Sequence, residues 1–172
     1  MSNLRSKGSF FKLYSWLPLI VLYTSVLNEF DLNYLNLDYF SFNFPFILIF
    51  FFTLKESKHF DYLLVFIAGL INDVVIGLPL GTSSLSYLLI CGFAAYLRNI
   101  TLRPSLVKDW FFFLFTILVI NSLSYSYLNL FFAIDLNYVN LFFNIVFTFL
   151  FYLVFAYIFQ IYQRAFFVES ND

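Results

Sequence analysis

Apolar residues gather into six blocks along the chain, and most of the polar and charged residues fall in the joints between them. The first block runs from about Leu13 to Asn28 (13–28), and the acidic stretch "EFDLNYLNLDYFSFN" (29–43) follows it without a Lys or Arg. The second, roughly Pro45 to Leu54, reaches only about 16 residues or about 24 Å of helix even when begun at Tyr39 (39–54). A compact charged loop, "KESKHFD" (55–61), leads into a third block at 62–78. The turn "GLPLG" (77–81) then reverses the chain, because Pro79 cannot donate a backbone hydrogen bond and Gly77 and Gly81 tolerate positive φ. A fourth block spans 83–97, and "RNITLRPSLVKD" (98–109) carries a break at Pro104 before the fifth at 110–128. A short connection around Asp135 precedes the sixth, 139–161. Since about 20 apolar residues cross a bilayer core, the pattern predicts an all-α membrane protein, a six-helix transmembrane bundle in a single integral membrane domain, 1–172.

Charge gives the bundle a direction. Arg5, Lys7 and Lys12 precede block one, Lys55 and Lys58 follow block two, Arg98, Arg103 and Lys108 follow block four, and Arg164 follows block six. All nine basic residues therefore fall on one side, while the other side carries Glu29, Asp31, Asp38 and Asp135. The positive-inside rule makes the basic side cytoplasmic, with both termini inside. Trp16 and Trp110, each near the cytoplasmic start of a block, suit an interfacial aromatic belt. The basic residues at the start resemble the front of a signal peptide, but no small-x-small cleavage site follows and the block is read as a helix.

Composition agrees with the pattern: 62% of the 172 residues are apolar and 11% charged, outside the range of soluble domains. The 28 Phe and 13 Tyr are spread over every block without a spacing pattern, which marks core and lipid-facing bulk rather than a cofactor cage. Cys91 and His59 are each the only one of their kind, so neither an internal disulfide nor a Cys/His metal site is expected. No cofactor is expected.

Catalytic sets fail on their missing partners. A serine protease built on Ser83 or Ser84 needs a base at membrane depth, and His59 lies in a loop. An aspartyl protease needs two carboxylates, and Asp73 is the one acid inside a block. "SFFK" (9–12) matches Ser-x-x-Lys by letter alone, and no phosphate-binding loop, dinucleotide fingerprint or His-Glu-x-x-His occurs. The basic loops are explained by topology, so no nucleic-acid partner is expected. The reading is non-enzymatic.

Asp73 remains, about one turn from the end of block three. A carboxylate there costs a few kcal/mol if it faces lipid, so it must face protein or water. Gly69, Asp73 and Gly77 recur at i, i+4 and i+8, which lines one face with small residues and lets a neighbouring backbone approach. Ser84, Cys91 and Ala95 form a matching stripe on block four. Blocks three and four are therefore expected to pack as a hairpin, with Asp73 hydrogen-bonded near the turn to hydroxyls of Thr82, Ser83 or Ser84. Contact of Asn72, Asp73 or Ser84 with a partner protein is the second reading, and a proton or ion relay the third.

The stretch "AGLINDVVIGLPLGTSSL" (68–85) resembles the signature of the MreD family, the rod shape-determining membrane proteins, whose third span reads Gly-Leu-x-x-Asp-x-x-x-Gly-x-Pro-Leu-Gly. Gly69, Leu70, Asp73, Gly77, Pro79, Leu80 and Gly81 match it. "NFPFILIFF" (43–51) is similar to the start of the family's second span, and the six-span layout agrees. Two departures stand out: Asn72 occupies a usually apolar position, and Phe51-Phe52 replaces a Tyr and Trp pair. The resemblance implies a non-enzymatic part of the bacterial elongation complex, binding MreC, a single-span protein with a periplasmic domain, near MreB, the glycan polymerase RodA and its partner transpeptidase. A glycine-lined face beside the short second span is where a partner helix is expected to dock. The family's fold is also similar to the substrate-binding subunits of energy-coupling-factor transporters, the alternative function, in which Asn72 and Asp73 would contact a vitamin. "WLPLIVLYTSVLNEF" lacks the small residues those subunits use for docking.

Overall fold

The computed structural model describes residues 16–27, 41–55, 60–101, 105–133 and 137–167. These form six helices and no strand: α1 Trp16–Leu27, α2 Phe44–Leu54, α3 Tyr62–Ile76, α4 Thr82–Ile100, α5 Leu106–Phe132 and α6 Tyr138–Phe167. Two of them, α5 and α6, are long and apolar enough to cross a membrane. The expected blocks and the helices coincide to within a few residues, except at the start of the second and at the end of the sixth, whose helix runs on from 161 to Phe167. The second differs for a local reason. Its helix begins at Phe44 rather than at 39, because Pro45 fits the first turn of a helix and Asn43 caps it, its Oδ1 accepting the Phe46 N–H at 3.3 Å.

Helix α2 has 11 residues, about 16 Å, and ten of them are buried. A helix apolar all round belongs in a core, and this one is packed against α4 and α6. Its ends are finished by distant residues. Asn43 N–H donates to Thr148 Oγ1 at 2.9 Å, and Arg98 Nη1 donates to the Thr53 carbonyl at 3.3 Å. Phe51 and Phe52 both pack on Phe159, with ring centroids 5.3 and 5.2 Å away. Phe51 and Phe52 thus lie in the core, not on a surface open to a partner.

Around α2, α4 also packs on α3 and α5, and α5 packs on α6. Helix α1 joins through Tyr23, whose hydroxyl donates to the Leu64 carbonyl at 3.0 Å. The helices run in alternating directions. The C-terminal ends of α1 and α3 and the N-terminal ends of α2 and α6 share one cavity, while the C-terminal ends of α2 and α4 meet at the opposite end. At that opposite end Lys55 Nζ lies 3.8 Å from Asp109 Oδ2.

Asp109 corrects one expectation. It lies inside α5, not in a loop, and is 2% exposed, so Asp73 is not the one enclosed acid. The sequence hides this because the helices packed on α5, α4 and α6, and its ion-pair partner Lys55 come together only in the fold. Trp110, half-buried, turns toward α6. Its Nε1 donates to the Phe149 carbonyl at 2.9 Å, and its ring lies parallel to that of Phe149 with centroids 4.3 Å apart. Most of the charge map, namely Arg5, Lys7, Lys12, Glu29, Asp31, Asp38, Lys58, Arg103 and Asp135, lies outside the described residues, as does His59.

Candidate functional site: the polar lock between α3 and α4

Helix α3 ends where Gly77 takes φ 75°, a left-handed conformation that only glycine adopts cheaply. The N–H groups of Gly77 and Leu78 both turn back to the Asp73 carbonyl, the latter at 2.9 Å. Pro79 then accepts from Thr82 twice, from its N–H at 3.2 Å and from its Oγ1 at 2.8 Å. Gly81, with φ 101°, is the residue on which α4 starts.

A glycine has no side chain with which to cap that start, and Asp73 supplies the missing acceptor from the preceding helix. Its Oδ2 accepts the Gly81 N–H at 2.7 Å and its Oδ1 the Ser83 N–H at 2.8 Å. These are two of the donors that the first turn of a helix leaves without an internal partner, and the helix dipole favours an anion there. One residue therefore closes both ends of the turn: its backbone carbonyl terminates α3, and its carboxylate opens α4. Asp73 is 0% exposed.

The hydroxyls that sequence reasoning offered to Asp73 go elsewhere. Ser83 Oγ accepts from Asn72 Nδ2 at 2.8 Å, Thr82 Oγ1 reaches Pro79, and Ser84 Oγ donates to the Phe66 carbonyl at 3.1 Å. Backbone N–H groups win because at a helix start they point at the anion already, with no rotamer to fix.

Gly69 makes the close contact. A Cβ built on it would sit 2.5 Å from Ser84 Cα and 2.6 Å from Ser84 N, so the α4 backbone occupies the space a side chain would need. Gly77 does something different from the helix approach expected of it. Nothing lies within 4 Å of its would-be Cβ, so its role is conformational. Gly77→Ala is expected to cost about 1–2 kcal/mol through strain alone, and Gly77→Asn less, because asparagine tolerates the left-handed region. Thermal unfolding of the two purified variants checks the order; equal stability of Gly77→Ala and the parent would remove the conformational role.

Of the remaining motif residues, Leu70 is half-buried on α3 and Leu80 is 69% exposed at the turn. Ser84, at 0% exposure, is closed off together with Asp73, so the glycine-lined face expected to receive a partner helix is occupied by α4 at Gly69 and Asp73. Asn72 alone of the three proposed contact residues keeps access, since it lines a cavity of about 320 Å³ at this end of the bundle. Sequence reasoning missed the other polar residues of that cavity, Ser25, Asn43, Tyr87 and Asn144. Tyr87 follows Ser84 by three positions and so belongs to the small-residue stripe already recognised, but no local pattern points to Asn43 or Asn144. No protein-family model, curated protein or solved structure matches the chain.

Proposed function

We propose that the chain is a non-enzymatic membrane subunit of the bacterial cell-wall elongation machinery, similar to the MreD family, which crosses the cytoplasmic membrane six times with both termini inside. Its role in this reading is to bind an MreC-like single-span protein and to organise peptidoglycan synthesis by RodA and its transpeptidase partner along MreB. The observation that carries the reading is the polar lock. Four of the seven motif residues, Asp73, Gly77, Pro79 and Gly81, each hold one part of a single hydrogen-bonded turn, and a fifth, Gly69, admits the α4 backbone beside it. Mutual dependence of this kind supports reading these letters as a motif.

A membrane location is supported by the apolar outward faces of α3, α5 and α6, where Val74, Leu130, Phe142 and Tyr157 are exposed. Polar side chains would line those faces in water. With Gly69 covered by α4, a partner helix has these outward faces to meet.

Depletion of the protein is expected to turn rods into spheres, and the tagged chain recovered from membranes is expected to retain an MreC-like partner. Rods of normal shape after depletion, together with nanomolar binding of a vitamin, would replace this reading with the energy-coupling-factor one.

A further inference from the structure

The polar side chains along α5 have two different fates. Thr116 Oγ1 donates to the Phe112 carbonyl of its own helix at 2.8 Å, and Ser124 Oγ shares a hydrogen bond with Ser86 Oγ on α4 at 2.9 Å. Ser122, Tyr125, Ser126 and Asn129 follow one another at i, i+3, i+4 and i+7, which places them on one face of the helix, away from Ser124. No hydrogen bond to another described residue engages any of these four side chains. Together with Tyr138 on α6 they line a cavity of about 300 Å³ in the groove between α5 and α6. Ser122, Ser126 and Asn129 are exposed there.

The surface around this stripe is that of a helix facing lipid. Leu118, Leu123 and Leu130 bracket it on α5 and are 46%, 53% and 81% exposed. Ser122 lies about 5 Å past the middle of α5. A hydroxyl or amide held in hydrocarbon without a partner is costly, so the groove calls for an occupant that returns hydrogen bonds. An acyl chain fills space but returns none. A second copy of the chain has little to return either, since its outward residues along α3 and the middle of α6, among them Val74, Leu150 and Val154, are apolar.

We infer that the groove between α5 and α6 receives one transmembrane helix of a partner protein, and that this helix meets it with amide or hydroxyl side chains. The stripe runs lengthwise along α5, as the seam of a packed helix does, and the small side chains of Ser122 and Ser126 let a second backbone come close. Each serine hydroxyl both donates and accepts, and Asn129 offers an NH2 and a carbonyl, so an amide or a hydroxyl on the partner finds its complement at any of three heights along the groove. The assignment rests on the membrane location proposed above and gives the single-span partner of the elongation reading a face on which to dock.

The test places the full-length protein in phosphatidylcholine vesicles with a donor fluorophore at Leu130→Cys; Cys91 is 1% exposed and stays unlabelled. Two acceptor-labelled synthetic helices serve as probes, a lysine-flanked polyleucine span and the same span with one central asparagine. Energy transfer is expected to show the asparagine helix bound roughly three- to tenfold more tightly. Replacing both exposed serines, Ser122→Leu with Ser126→Leu, is expected to keep the Tm of the parent and to erase that preference. Ser126→Cys in the native membrane is expected to give no disulfide-linked dimer. Equal binding of the two helices, a preference that survives the double substitution, or a Ser126→Cys dimer, which would hand the groove to a second copy, would each overturn the proposal. The elongation reading falls by a different observation: rods that turn into spheres on depletion, while both helices bind alike, would keep that reading and remove the groove.

Discussion

Asp73→Leu is expected to unlock the α3–α4 turn and to lower the stability of the purified chain by on the order of 3 kcal/mol. Two charge-assisted bonds are lost, at 2.7 and 2.8 Å, and the Gly81 and Ser83 N–H groups are left without acceptors. Removing the buried charge returns part of that, since its desolvation no longer has to be met, but two orphaned donors at a buried helix start outweigh the gain. Asp73→Asn separates this account from a simpler one. If any hydrogen-bonding side chain served, asparagine would be neutral. It has one acceptor oxygen for two N–H groups and presents its own NH2 to the second, so an intermediate loss, about 1–2 kcal/mol, is expected. Thermal unfolding of parent, Asn and Leu variants should therefore fall in that order. Parent-like stability of Asp73→Asn would sink the two-acceptor geometry, and equal collapse of both variants would point to a requirement for the charge itself.

Gly69→Ala should destabilise the same hairpin although alanine is the better helix former. The propensity gain is about 1 kcal/mol. Against it stand contacts of 2.5 and 2.6 Å with Ser84 backbone atoms, which no rotamer change can relieve. Relief requires α3 and α4 to separate, which stretches the Ser84–Phe66 bond and the pair of bonds at Asp73; overpacking of this kind costs about 1–3 kcal/mol or more. The net effect is a loss, larger for Gly69→Val. Gly92→Ala is the internal control, because nothing lies within 4 Å of a Cβ there, and it should be neutral or slightly stabilising. The pair is best read together by the shift in Tm. A Gly69→Ala protein as stable as Gly92→Ala would mean that the two helices do not approach as closely as described.

The helical class and the position of the 77–81 turn were legible because their causes are local. A Pro between two glycines restricts the backbone whatever surrounds it, and a carboxylate within an apolar block must be satisfied somewhere nearby. What Asp73 binds was not legible. Every residue has an N–H, so nothing in the letters distinguishes Gly81 and Ser83 as donors, and the hydroxyls of Thr82, Ser83 and Ser84 are more conspicuous. The core position of α2 was half legible: its all-round apolar surface is a core pattern, but the same letters suit a short span in lipid. Asp109 was misread because it sits beside the basic loop that its own Lys55 partner does not share.

By itself, then, the sequence determined the elements and the turn: helices where apolar runs are long enough to close their own hydrogen bonds, and a reversal at residues whose backbone can do nothing else. The tertiary structure alone decided which surfaces are spent and which stay open. Ser84 fills the groove over Gly69, α4 and α6 enclose α2, and Asn43, Asn72, Tyr87 and Asn144 converge on one cavity. The physical reason is that secondary structure follows from interactions a few residues apart, whereas burial and convergence depend on how helices distant in sequence pack against one another.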